Sequence, residues 1–114
     1  MKPALLPVTV AAVLFVLYAL TICPTVGPGD SGELSVAAST WGVAHAPGYP
    51  LLTLAGNLAT HLAPFAEPGL VLNLLNAAFA AAACAVLATA VVVATGSAGA
   101  GLVAGLAVGT SRVF

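Results

Sequence analysis

Charge is what this sequence lacks. Among 114 residues only five are charged, Lys2, Asp30, Glu33, Glu67 and Arg112, a share of 4%. A soluble domain carries roughly 25%, so this chain has too little polar surface to stay dissolved as one. The net charge is −1, and without a basic footprint a nucleic-acid partner is not expected. Cysteine is scarce as well. Cys23 and Cys84 are the two, and no metal-ligand spacing exists between them. One ends the first apolar stretch and the other lies inside the second, so a disulfide would need both thiols at one membrane depth. They read as unpaired thiols in apolar surroundings.

What is present is hydrocarbon. The chain is 61% hydrophobic, and the interval between Glu67 and Arg112 is charge-free and rich in Ala, Val and Leu. A bilayer core needs roughly 20 apolar residues per helix. The expected fold is therefore an all-α membrane protein, a single membrane region over 1–114 with about three transmembrane helices. The first is placed at 4–22, the second at 69–94, and an incomplete third at 98–114, after a Thr95-Gly96-Ser97 turn. A secretory signal peptide competes for the first stretch. Against it, the apolar run is long, no small-x-small site precedes Cys23, and Ile22 is bulky where a lipoprotein-type box needs a small residue. A retained helix is the preferred reading, with Pro7 near its start, where a missing N–H is tolerated.

Residues 23–68 differ in kind. Twelve prolines and glycines from Pro24 to Pro68 punctuate it, and the segment holds three carboxylates and both histidines. Two short amphipathic helices fit between the breaks, at about 31–43 and 50–62. In the first, Leu34, Ala37, Ala38 and Trp41 recur at helical spacing. In the second, Leu51, Leu54, Ala55, Leu58 and Leu62 oppose Thr53, Asn57 and Thr60. Both are too short to span and suit the interface, with Trp41 and Tyr49 fitted to that depth. The positive-inside tendency puts Lys2 in the cytoplasm and the loop outside, although Arg112 then faces outward, against the tendency.

Two clusters can carry chemistry. Asp30 and Glu33, three residues apart after the first apolar helix, share one face of a helix and can act as a general base or hold a cation. The same spacing before an apolar-periodic run is close to a capping box, and spacing alone favours that structural role. His45 stands at the break between the two short helices, before the Pro47-Gly48 turn, with Tyr49 and Pro50 following. There an imidazole can contact a phosphate, although a lone loop histidine is more often structural. Asn73 and Asn76 lie inside the second span, where buried amides need partners, so interhelical hydrogen bonds are expected. Gly101, Gly105 and Gly109 repeat every fourth residue, a face for close helix packing.

The order Gly29-Asp30-Ser31-Gly32-Glu33-Leu34, then Trp41-Gly42-Val43-Ala44-His45-Ala46-Pro47-Gly48-Tyr49-Pro50, then Asn73-Leu74-Leu75-Asn76, resembles the N-terminal part of a multi-pass membrane family. That family was long catalogued as a domain of unknown function and is related to protein O-mannosyltransferases of the GT-C glycosyltransferase fold. The family usually reads His-Pro-Pro-Gly-Tyr-Pro, and Ala46 replaces its first proline.

The resemblance implies a sugar, typically mannose, moved from a polyprenyl-phosphate donor to an acceptor outside the cytoplasm. Asp30, with Glu33 beside it, would be catalytic. His45 and Tyr49 are candidate substrate contacts. No metal site and no definite cofactor are assigned, and a divalent cation is left open. The resemblance also implies many more spans than these. The segment is therefore expected to be a piece of a longer protein and inactive by itself, since its outer loop lacks cations to hold a lipid phosphate. The implied location is the inner membrane of a bacterium, with residues 23–68 non-cytoplasmic. The competing function is a non-catalytic membrane module, such as a transporter part or an assembly subunit. A small secreted protein is disfavoured by the charge-free stretch after Glu67.

Overall fold

The computed structural model describes residues 5–111, so Lys2 and Arg112, on which the orientation argument drew, lie outside the described residues. Five helices follow one another: α1 (Leu5–Thr21), α2 (Ser31–Ser39), α3 (Pro50–Leu62), α4 (Pro68–Thr95) and α5 (Ala98–Gly109). The chain divides into two compact units, Met1–Thr21 with Ala77–Phe114, and Ile22–Asn76.

Helix α4 has 28 residues and, at about 1.5 Å per residue, extends about 42 Å. That exceeds a hydrocarbon core of about 30 Å. Among the described residues it is the one helix long and apolar enough to cross a membrane, while α1 and α5 are apolar but shorter. By length and composition, one of the three expected crossings meets that test. Helix α5 has 12 residues and stops at Gly109, where Thr110 caps it, short of the expected reach to 114.

In the first unit Leu6, Val10 and Leu14 recur at i, i+4 along α1 and pack on Ala81, Cys84 and Ala88 of α4. Helix α5 buries Gly101, Gly105 and Gly109. A Cβ built on Gly105 would lie 3.0 Å from both Ala88 Cβ and Val10 Cγ1, and one on Gly109 would meet Leu14. Glycine permits that approach, as small residues do between membrane helices. Tyr18 donates its hydroxyl to the Gly109 carbonyl at 2.6 Å, satisfying an acceptor that the end of α5 leaves open. Val8, Val16, Leu20, Val86, Val93 and Val103 point outward and are exposed.

In the second unit the stretch after α1 lies along the first turns of α4. Glu67 accepts from the Leu70 amide at 2.8 Å and caps α4, whose first residue is Pro68. A Cβ on Gly69 would stand 2.7 Å from the Val26 nitrogen. Asn73 Nδ2 donates to the carbonyls of Cys23 at 2.9 Å and Thr25 at 3.0 Å. The expected interhelical amide bond is thus replaced by a bond to non-helical main chain, whose carbonyls have no ladder partner. Asn76 is exposed.

Helices α2 and α3 pair through small and polar groups. Gly56 admits Ala38, whose Cβ lies 2.9 Å from a Cβ built there. Asn57, only 3% exposed, donates to the Ala38 carbonyl at 2.8 Å. The outward face of α3 carries Leu51, Leu54, Leu58 and Leu62, all exposed. Helix α3 is amphipathic, with its polar side turned in.

Helix α2 stops at Ser39, short of the expected 43. Thr40 N–H bonds to the Val36 carbonyl and Gly42 N–H to the Ala37 carbonyl at 2.8 Å, while Trp41 takes a φ of 58°. This is the six-to-one bond of a Schellman ending, with tryptophan in the left-handed position that glycine usually fills. The helical spacing of Trp41 misled because its side chain follows the turn, not the helix.

Candidate active site

The second unit gathers four of the residues that the sequence singled out. Asp30 occupies the N-cap position of α2 but makes no side-chain capping bond, so the capping-box alternative is not realised. Glu33, one turn into α2, reaches across twelve residues of sequence. Its Oε1 accepts from the His45 main-chain N–H at 2.6 Å, and its Oε2 lies 2.9 Å from His45 Nδ1. The other ring nitrogen, Nε2, faces Asp30 Oδ2 at 3.7 Å. Tyr49 meets the imidazole edge-on, with centroids 5.6 Å apart.

Local backbone explains the meeting. The Trp41 turn reverses the chain after α2. Gly48 N–H then closes on the His45 carbonyl at 2.7 Å, and Tyr49, with a φ of 44°, caps α3 ahead of Pro50. His45 is thereby returned to the start of α2. The cluster is open to solvent, with side-chain exposures of 42% for His45, 48% for Glu33 and 66% for Asp30.

The hydrogen bonds donated by the His45 amide and then by its ring hold the Glu33 carboxyl below its ordinary value. The same ring bond, with Glu33's charge and more weakly that of Asp30, lifts the His45 imidazole above its ordinary 6.5. Oxygen and nitrogen atoms of the three side chains lie within 4.8 Å of one another. Both Glu33 oxygens accept hydrogen bonds from His45. The Asp30 carboxylate makes no capping bond and approaches only His45 Nε2, at 3.7 Å, among the described contacts.

A family model described as the protein O-mannosyl-transferase TMEM260 N-terminal domain matches residues 30–114. The chain belongs to this family. The match opens at Asp30 itself, so the TMEM260 N-terminal domain takes in the whole cluster. Two curated relatives of the family are similar to the chain. A mouse protein named protein O-mannosyl-transferase TMEM260 is 44% identical over 80 residues, 70% of this chain and 11% of its own length. A Dictyostelium discoideum protein named protein O-mannosyl-transferase tmem260 is 49% identical over 49 residues, 43% of this chain and 6% of its own length. The chain thus spans about a tenth or less of these relatives. No solved structure matches it.

Sequence reasoning placed Asp30 beside Glu33, and His45 near Tyr49, as two separate clusters. It missed the Glu33–His45 contact, because nothing in either motif states how the intervening residues turn. In the structure His61 Nδ1 lies 2.8 Å from the Asn57 carbonyl, and its ring tilts against Trp41 at 6.3 Å.

Proposed function

We propose that this chain is the N-terminal part of a multi-pass, GT-C-like membrane glycosyltransferase, in which Asp30 is the general base. The observation that carries the reading is the unengaged Asp30 carboxylate beside a histidine already fixed by Glu33, within a chain of the TMEM260 N-terminal family. The donor is a polyprenyl-phosphate sugar, mannose by analogy with the names of the relatives, and the acceptor is a hydroxyl outside the cytoplasm. Asp30 takes the hydroxyl proton as the acceptor oxygen bonds to the sugar's anomeric carbon. The bond from that carbon to the phosphate oxygen breaks, and lipid phosphate leaves.

Placement supports this chemistry. A lipid phosphate sits at headgroup depth, and the exposed leucines of α3 with Trp41 suit that depth. The outward valines of the first unit suit hydrocarbon, so α1 and α5 cross with α4, their short helical parts accommodated by a locally thinned bilayer. Residues 23–68 then lie on the non-cytoplasmic side of the membrane, the inner membrane if the source is bacterial. Cations to hold the phosphate come from parts of the protein beyond this segment, which by itself does not turn over.

The test is Asp30→Asn in the complete gene product, assayed for sugar transfer from polyprenyl-phosphate mannose. Loss of transfer with normal protein level and membrane insertion is expected. A lower protein level with unchanged specific activity would give Asp30 a structural role and favour a non-catalytic module.

A further inference from the structure

We infer that His45 is the proton relay behind Asp30 and that Glu33 is the positioning residue that sets its tautomer. The inference rests on the reading of Asp30 as base. A carboxylate only accepts hydrogen bonds, so the 2.9 Å contact of Glu33 Oε2 requires the proton on Nδ1. In the neutral ring Nε2 then carries the lone pair, and it is Nε2 that faces Asp30 Oδ2. The second bond of Glu33, to the His45 amide at 2.6 Å, fixes the main chain from which the ring hangs. The imidazole has little freedom to flip. Tyr49 closes one side of it edge-on.

The proton balance is complete. The acceptor hydroxyl gives its proton to Asp30, Asp30 passes it to Nε2, and the resulting imidazolium lies between two carboxylates. Lipid phosphate departs with the electron pair of the broken bond. The gap of 3.7 Å exceeds a hydrogen bond, and such contacts commonly tighten only when substrate is bound. The groups facing His45 are Asp30 from the turn before α2, Glu33 from α2, and Tyr49 from its own loop. Transfer requires the neutral ring, so kcat rises with pH through the His45 ionisation.

The experiment compares the unaltered complete gene product with Glu33→Gln, His45→Ala and the double variant. Each is assayed for transfer from polyprenyl-phosphate mannose across pH, and histidine ¹⁵N spectra are recorded in nanodiscs. Glu33→Gln is expected to lower kcat about tenfold or more with KM within about twofold. Its rising pH limb should move to lower pH, and the Nδ1–H tautomer should lose its dominance. His45→Ala should lose as much, and the double variant no more than that, because the two act as one unit. An active wild type in which Glu33→Gln keeps both kcat and the pH limb overturns the relay and leaves Asp30 as base. No transfer by the unaltered protein overturns the functional reading, and the relay with it, whatever the tautomer.

Discussion

Glu33 and Asp30 are the same chemistry three residues apart, and surroundings divide their labour. Glu33 is held by two donors from His45, whereas Asp30 makes no capping bond. The Glu33 carboxyl is shifted down from 4.5 and the His45 imidazole up from 6.5. The signs fix the pH window. Glu33's contribution is present above 4.5 and lost as pH falls through its lowered folded value. His45's contribution is present below 6.5 and lost as pH rises through its raised folded value. The clasp between α2 and the His45 loop is therefore tightest from about pH 4.5 to 6.5, where the Glu33 carboxylate holds an imidazolium. Glu33→Gln should bring the His45 titration back towards 6.5 in an NMR pH series. An unchanged midpoint would show that the ring bond does not form in solution. Of this site, the sequence made Asp30 legible through its neighbour and the motif around it. It could not reveal Glu33's partner, because twelve residues and one unforeseen turn at Trp41 separate them.

Helices were the legible scale, because apolar runs and the Pro and Gly breaks between them are written locally. What periodicity could not give was which face turns inward. Leu51, Leu54, Leu58 and Leu62 form an obvious stripe, and α3 instead packs with Gly56, Asn57 and Thr60. The reason is the open carbonyl at the end of α2, which Asn57 satisfies and leucine cannot. Asn57→Leu should cost about 1–3 kcal/mol by stranding that carbonyl, read as faster amide exchange along the last turn of α2. Glycine spacing on α5 was legible too. Gly105→Leu should destabilise the first unit by about 1–3 kcal/mol through overpacking, seen as a lower detergent-unfolding midpoint. Replacing the exposed Val103 by leucine, two residues earlier and on the opposite side of the helix, should leave the midpoint in place.

At the scale of the molecule, composition spoke of a bilayer before any motif did, and one helix has the length to cross it. Orientation is the part that two terminal charges could not carry. The chain contains its own probe. Cys23 is exposed and Cys84 buried, so a membrane-impermeant maleimide added outside intact cells should label this segment once, at Cys23. Labelling of the segment should vanish in Cys23→Ser. Protection in intact cells with labelling only after lysis would place the acidic loop in the cytoplasm and remove the transferase reading.

The inverted helix α3 has one more consequence. Asn57 and Thr60 already have partners within the protein, while Leu51, Leu54, Leu58 and Leu62 have no cover. For residues 50–62 a boundary between water and oil is therefore a better solvent than either alone.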